Sequence, residues 1–334
     1  RIGRKNMPFQ VSPGVVVKET DLTNVVPAVS TSIGGIAGTF EKGPVGSITS
    51  ISSEAELVSV FGKPNASNFE TWFTASSFLQ YGNHLKVVRA ETGAVNAIDS
   101  GSGVLTRDDD HYNASVAAGN VYGGSTHWTS RTAGTLGNNI GISMCMSAAA
   151  YEQTFTGNTG TLGVVDGTPA AGDTTVTIDN AGSSGAGGSA FNVGDIIHFF
   201  ESNGQEYEVT AISTDNLTIR RKDDPNGRGL VNALVDATNV RRRWAFYDLF
   251  DNAPGTSSYA TAKGVTLDEM HIVVFDTTGK ISGFRKDTAG ERTNSVLETY
   301  AFLSQHPNAK TPQGGTNYYP DVIFKQSSFV YWLD

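Results

Sequence analysis

The sequence predicts a mixed α/β (α+β) fold that carries an inserted all-β module and begins with an extended N-terminal arm. Three observations lead there. Helical and strand patterns alternate before residue 150 and after residue 240. Between Thr154 and Lys222 helical periodicity vanishes and short strand patterns follow one another at turn-rich intervals. At the front, Val15, Val16 and Val17 form a β-branched run behind Pro13-Gly14, too short to bury itself. The predicted divisions are an arm at 1–28, a first α/β part at 29–150, a β-barrel or sandwich at 151–238, and a continued α/β part at 239–334.

The elements follow in order. The arm reads Val11-Ser12-Pro13-Gly14-Val15-Val16-Val17-Lys18-Glu19-Thr20. A terminal strand of this kind is stable only when a sheet edge accepts it, in its own chain or in a neighbour. Met7 is a natural start, which leaves two readings of Arg1–Asn6, a vector remnant or part of the native chain. Ser30–Phe40 alternates small and apolar residues and predicts a strand, with Gly34, Gly35 and Gly38 permitting close backbone approach. Ser53-Glu54-Ala55-Glu56 fits a capping box and opens a helix through Phe61, which Gly62 stops. A second helix is predicted from Phe69 to Gln80, with Phe69, Trp72, Phe73, Ser76 and Leu79 on one face, ahead of a strand at Leu85–Arg89.

In the β-rich stretch, strands are predicted at Thr174–Ile178, Asp195–Phe200, Glu206–Ile212 and Asn216–Arg220, with a flexible loop at Gly182–Gly188. Arg241–Phe250 predicts a strand leading into a turn, and His271–Asp276 a buried strand. Thr277–Lys280 is then expected to turn and Ile281–Phe284 to return as a hairpin. Val296, Leu297, Tyr300 and Leu303 give Thr293–Leu303 a helical spacing, while Val322–Phe324 and Phe329–Trp332 read as extended.

Composition narrows the function classes. There are 33 acidic against 24 basic residues, a net charge of −9. That balance opposes broad nucleic-acid binding and adhesion to anionic membranes, both of which need cationic surface. No apolar run approaches the ~20 residues of a membrane helix, and the polar residues 1–10 predict no secretory signal. The single cysteine, Cys145, excludes an intramolecular disulfide. It sits between Met144 and Met146, which points to a buried structural thiol.

Asp108-Asp109-Asp110-His111 lacks the graded spacing of a calcium loop and reads as a solvated acidic turn. Asp248, Asp251, Asp268, Glu269 and His271 offer an acid/base pair, although their positions beside turns favour backbone capping. Gly182–Gly188 is not a phosphate loop, and Gly34–Gly38, lying within a strand, is not a dinucleotide fingerprint. No Gly-x-Ser-x-Gly elbow is present, and the six histidines form no HxxxH or HxH pair. No catalytic, cofactor or metal site is therefore predicted. Arg220-Arg221-Lys222 and Arg241-Arg242-Arg243 could meet in space, as a phosphate patch, a contact with an acidic protein, or solvated turns.

Several stretches resemble the contractile tail sheath proteins of myovirus-type phages. They are Ser12-Pro13-Gly14-Val15 with Lys18-Glu19, and Val45–Arg89. Within the latter stand Glu54-Ala55-Glu56-Leu57-Val58-Ser59-Val60-Phe61-Gly62-Lys63-Pro64 and Phe78–Ala90. Thr132–Ile140 is similar to the family's Ala-Gly-x-x-Gly-Asn turn and strand, and Trp244–Phe250, Gly255-Thr256-Ser257 and Asp268–Phe275 to its core after an insertion. The resemblance covers about Pro8–Ser147 and Val240–Asp334, not Thr154–Lys222. It implies a structural subunit that stacks as hexameric rings around a tail tube in the virion and contracts to drive that tube through the bacterial envelope. Val15, Val16, Val17, Lys18 and Glu19 would then pair with a neighbour's sheet. The implied partners are other copies of the chain, the tail tube protein, and baseplate and tail terminator proteins. Family members continue past this point with a C-terminal domain, so the chain is expected to be a partial one. The other reading kept open is a baseplate or adhesive virion protein whose β-rich module binds a receptor.

Overall fold

The computed structural model describes residues 33–90, 92–101, 103–117, 127–179, 190–224, 229–283 and 295–333. The arm, with Val15, Val16, Val17, Lys18 and Glu19, lies outside the described residues, as does the Gly182–Gly188 loop. The described residues form a mixed helix-and-sheet structure of the α+β kind, with one six-stranded and three three-stranded sheets.

The first layer holds β1 (Gly34–Gly38), β2 (Ile48–Ile51), α1 (Glu54–Phe61), α2 (Phe69–Leu79) and β3 (Leu85–Arg89). β3 is central, parallel to β1 and antiparallel to β2. α1 starts as its sequence dictates: Ser53 Oγ accepts from Glu56 N–H at 3.2 Å. The reciprocal bond is displaced by one residue, because the Glu56 carboxylate accepts from Ser52 N–H at 2.8 Å and Ser52 Oγ at 2.7 Å. Gly62 ends the helix at φ 84°, a conformation that favours glycine. α2 is rotated relative to its predicted face. Trp72, Ala75 and Ser76 are buried, but Phe69 and Phe73 are exposed. The cause is the glycine-lined surface of β1: a Cβ at Gly34 would meet the Phe78 ring at 2.7 Å, and one at Gly38 would meet Thr71 at 2.6 Å. Thr71 and Phe78 therefore point at the sheet, and the Phe69–Phe73 row turns outward.

Next come β4 (Asn96–Ile98), α3 (Asp109–Ala117), β5 (Trp128–Ala133), β6 (Ile140–Cys145), α4 (Ala148–Tyr151) and β7 (Glu152–Phe155). They are followed by β8 (Thr175–Thr177), β9 (Ile196–His198), β10 (Glu206–Ser213), β11 (Asn216–Arg221) and β12 (Val240–Arg243). β8 to β11 fall inside or within a residue of their predicted ranges. Together with β7 and β12 they make one antiparallel sheet in the order β7-β12-β9-β10-β11-β8, over a core that includes Val176, Ile197, Tyr207, Val209, Leu217 and Ile219.

The remaining elements are α5 (Ser258–Lys263), β13 (Glu269–Asp276), β14 (Ser295–Ser304), α6 (Tyr319–Gln326) and β15 (Val330–Trp332). β13 is buried along most of its length and lies between β14 and β6. β15, β5 and β4 form the last sheet, and Trp128, Ile272, Leu303, Ile323 and Trp332 share one core.

Four further expectations change here. The segment predicted as a helix, Thr293–Leu303, is strand β14 where described. The apparent helical spacing comes from two register shifts. Ile272 pairs with Tyr300 while Met270 pairs with Leu303, and Val274 pairs with Glu298 while Phe275 pairs with Val296. Each shift inserts one extra residue, so Leu297, Tyr300 and Leu303 return to one face every third position. Residues 281–283 form a turn, with Gly283 N–H donating to Gly279 O at 2.9 Å, and β14 takes the hairpin position expected of them. Val322–Phe324 is helical within α6, which Pro320 helps to start. Asp109 and Asp110 belong to the first turn of α3, not to a bare turn.

Candidate functional site

Each polar cluster singled out in the sequence has a structural occupation. Asp108 accepts from His111 N–H at 2.8 Å at the start of α3, where negative charge suits the helix end. Asp109 accepts from Arg131 Nη1 at 2.8 Å and Tyr331 O–H at 2.6 Å. Arg131 lies 4.0 Å over the Tyr331 ring, so the three tie α3 to β5 and β15.

The five-residue acid/base candidate does not converge. Asp248 and Asp251 are exposed. Asp268 is buried and accepts from Ser257 N–H at 2.8 Å, Ser257 O–H at 2.7 Å and Ser304 O–H. Burial raises its carboxyl, but these donors outweigh burial and hold it below the usual carboxylate range. Glu269 accepts from Gly255 N–H at 3.0 Å, and burial raises its carboxyl. His271 is fully buried, stacked on Phe250 at 4.2 Å and edge-on to Phe302 at 4.6 Å. Its Nδ1 accepts from Phe302 N–H at 3.0 Å, and its Nε2 therefore carries the proton donated to Asn252 O at 2.9 Å. Burial lowers this imidazole below its ordinary value. With both nitrogens committed, His271 joins β13, β14 and the turn after β12 rather than serving a reaction.

The two basic runs do meet, and mostly they neutralise locally. Glu206 accepts from Arg243 Nη1 at 2.8 Å and Arg241 Nη2 at 3.4 Å, with Lys222 Nζ 3.7 Å away. Arg243 also binds Glu152 at 2.6 Å, and Arg220 binds Glu208 at 2.5 Å. Arg221 donates to Gly229 O and Leu230 O. The buried Arg242 donates to Ala190 O at 2.7 Å and Ala149 O at 2.5 Å, with its Nε 3.9 Å from buried Asp195. Burial pushes the Asp195 carboxyl up to about 6, against Asn192 N–H and Arg242. A phosphate would have to displace these carboxylates and carbonyls.

Cys145 is buried, as its neighbours suggested, and burial pushes its thiol up to about 11. One grouping escaped sequence reasoning: carboxylate oxygens of Asp166, Asp179 and Asp236 all lie within 4.8 Å of one another. Residues this far apart in sequence show no common motif, and only the strand pairing around β8 and the approach to β12 bring them together. Asp236 is occupied by Thr159 O–H at 2.5 Å and Gly167 N–H at 2.9 Å, and Asp179 by Gly160 N–H at 2.8 Å. Among the described residues no helix is long and apolar enough to cross a membrane.

No family model matches the chain. Three curated relatives do. The tail sheath protein of Salmonella phage ViI is 26% identical over 335 aligned residues, covering 97% of this chain and 49% of the relative. Over shorter stretches identity is higher. The tail sheath protein of Vibrio phage KVP40 is 42% identical over 79 residues, and that of Enterobacteria phage T4 is 42% identical over 80. Each shorter match covers 24% of this chain and 12% of the relative. The chain thus spans about half the length of the relative it matches end to end. Its curated homologues in these three bacteriophages carry one name, tail sheath protein.

Proposed function

We propose that this chain is a structural subunit of a contractile tail sheath. The observation that carries the proposal is the match along 97% of the chain to a tail sheath protein. Copies polymerise as stacked hexameric rings around a tail tube, between baseplate and terminator proteins, and contraction drives the tube through the bacterial envelope. The work comes from a switch between two packings and requires neither catalysis nor a cofactor.

In this proposal Val15, Val16, Val17, Lys18 and Glu19 add as a strand to a neighbour's sheet. Each backbone hydrogen bond nets only ~1 kcal/mol, but repetition through a lattice makes the mesh strong. The strands of the 151–238 segment join β12 in the six-stranded sheet, and in this proposal the segment is an inserted module that faces outward. The site clusters support a structural role, since Asp109, Asp268, Glu269, His271 and the arginines of the six-stranded sheet are bound to the fold.

Negative-stain microscopy of the complete gene product tests the proposal. Tubes or polysheath are expected; a product that stays monomeric at high concentration, or forms adhesin-like trimers, refutes it. Val16→Pro is expected to abolish tubes while leaving the subunit's melting transition in place. Loss of that transition would place the arm in its own subunit's core.

A further inference from the structure

We propose that the cleft where the three small sheets meet is a docking site for an acidic segment from a second copy of this chain. This rests on the self-assembly put forward above. The cleft has a volume of about 600 Å³. Its walls come from the loop after β1, the second half of α1, the start of β6 and the turn after β13. The floor is partly apolar, with half-buried Val58, Leu136 and Phe329.

The charge of the walls is the informative property. Lys42, Lys63 and Lys280 all line the cleft. A smaller cavity of about 400 Å³ shares Glu41, Leu136 and Lys280 with it and adds Arg89. Glu41 is the one carboxylate among the described lining residues of either cavity, and it already accepts from Lys63 N–H at 3.2 Å. Among the described residues no carboxylate pairs with Lys42, Lys63, Lys280 or Arg89. Arg89, only 6% exposed, donates to three main-chain oxygens instead: Phe40 O at 3.1 Å, Gly43 O at 3.0 Å and Glu41 O at 3.4 Å. The contrast with the six-stranded sheet is direct, because there Glu152, Glu206 and Glu208 match the arginines.

A cationic cleft of this size runs against the balance of a chain with nine more acidic than basic residues. Low-dielectric walls focus the field of unpaired cations, and the complement of that field is an acidic surface. A second copy supplies one, because its excess charge is negative. The apolar floor takes the side chains that separate the acids of the incoming segment.

The test uses the complete gene product with Lys42, Lys63 and Lys280 changed together to Glu, and Lys280→Glu alone as the milder variant on an exposed side chain. Tube formation is followed by light scattering and microscopy across a salt series. The triple variant is expected to keep its melting transition while needing roughly tenfold more protein to assemble, and Lys280→Glu to fall between it and the wild type. High salt should weaken wild-type assembly and narrow the difference. Assembly of the triple variant at the wild-type concentration overturns the inference. So does binding of a poly-glutamate peptide that the triple variant loses while still assembling normally, since the occupant is then a different acidic protein. If neither form makes tubes, the tail-sheath proposal fails first and removes the second copy as occupant.

Discussion

Removing the Asp268 carboxylate tests whether the polar clusters hold the fold. Asp268 takes three buried donors: Ser257 N–H, Ser257 O–H and Ser304 O–H. Ser257 in turn caps α5 by accepting from Ala260 N–H at 3.1 Å, and Gln305 N–H donates to Asp268 O at 2.8 Å. One side chain therefore joins the start of α5, the start of β13 and the end of β14. Asp268→Ala leaves those donors without an acceptor, and each unsatisfied buried group costs about 1–3 kcal/mol. The two hydroxyls can rotate toward other acceptors, whereas the Ser257 N–H cannot, so the expected loss is about 2–3 kcal/mol. Asp268→Asn keeps one acceptor oxygen and should lose about half of that. Urea unfolding at neutral pH measures both. Because the folded carboxyl titrates below its unfolded value, its contribution is full above ~pH 4 and fades as pH falls through the folded value, so the wild-type advantage over Asp268→Asn should shrink at acid pH. A loss under about 1 kcal/mol for Asp268→Ala, or an advantage that does not change with pH, would refute the assignment.

Asp195 works in the opposite direction. Its folded carboxyl holds a proton up to about pH 6, so the stability it contributes is full below ~pH 4 and fades as pH rises through 6; urea midpoints of Asp195→Asn should lack that decline. His271, with its folded value depressed, should make the fold lose stability as pH drops below ~6.5, and a pH series on His271→Phe should flatten that limb. Gly229→Ala would place a Cβ 2.0 Å from Asp173 O, which is backbone and cannot step aside; a loss of at least 1–3 kcal/mol in urea unfolding is expected. Phe73→Ser, by contrast, alters an outward-facing ring and should shift stability by less than ~0.5 kcal/mol.

How much was legible depended on how local each signal is. Ser53 and Glu56, three residues apart, announce α1, and Gly62 announces its end. The apolar run Ile272–Phe275 announces β13, and the turn residues flanking β10 and β11 announce that hairpin. β14 was misread because its two extra residues are meaningful only opposite β13, so strand periodicity broke in a way that imitates a helix. The face of α2 was misassigned for a related reason: which side faces in was set by Gly34 and Gly38 on a separate strand. The Asp166, Asp179 and Asp236 grouping had no linear signature at all.

Composition and local pattern alone determined that this is an acidic, glycine-rich α+β chain with a β-dominated middle and few candidates for chemistry. The tertiary structure decided what the polar residues do. Arg220 and Arg243 became partners of Glu208, Glu206 and Glu152, Asp268 and His271 became internal ties, and Lys42, Lys63 and Lys280 were left facing a cleft whose one described carboxylate is Glu41. A charge in sequence has no sign of its neighbours. Its energy depends on distance and burial, and both come from strand pairing between segments far apart in the chain.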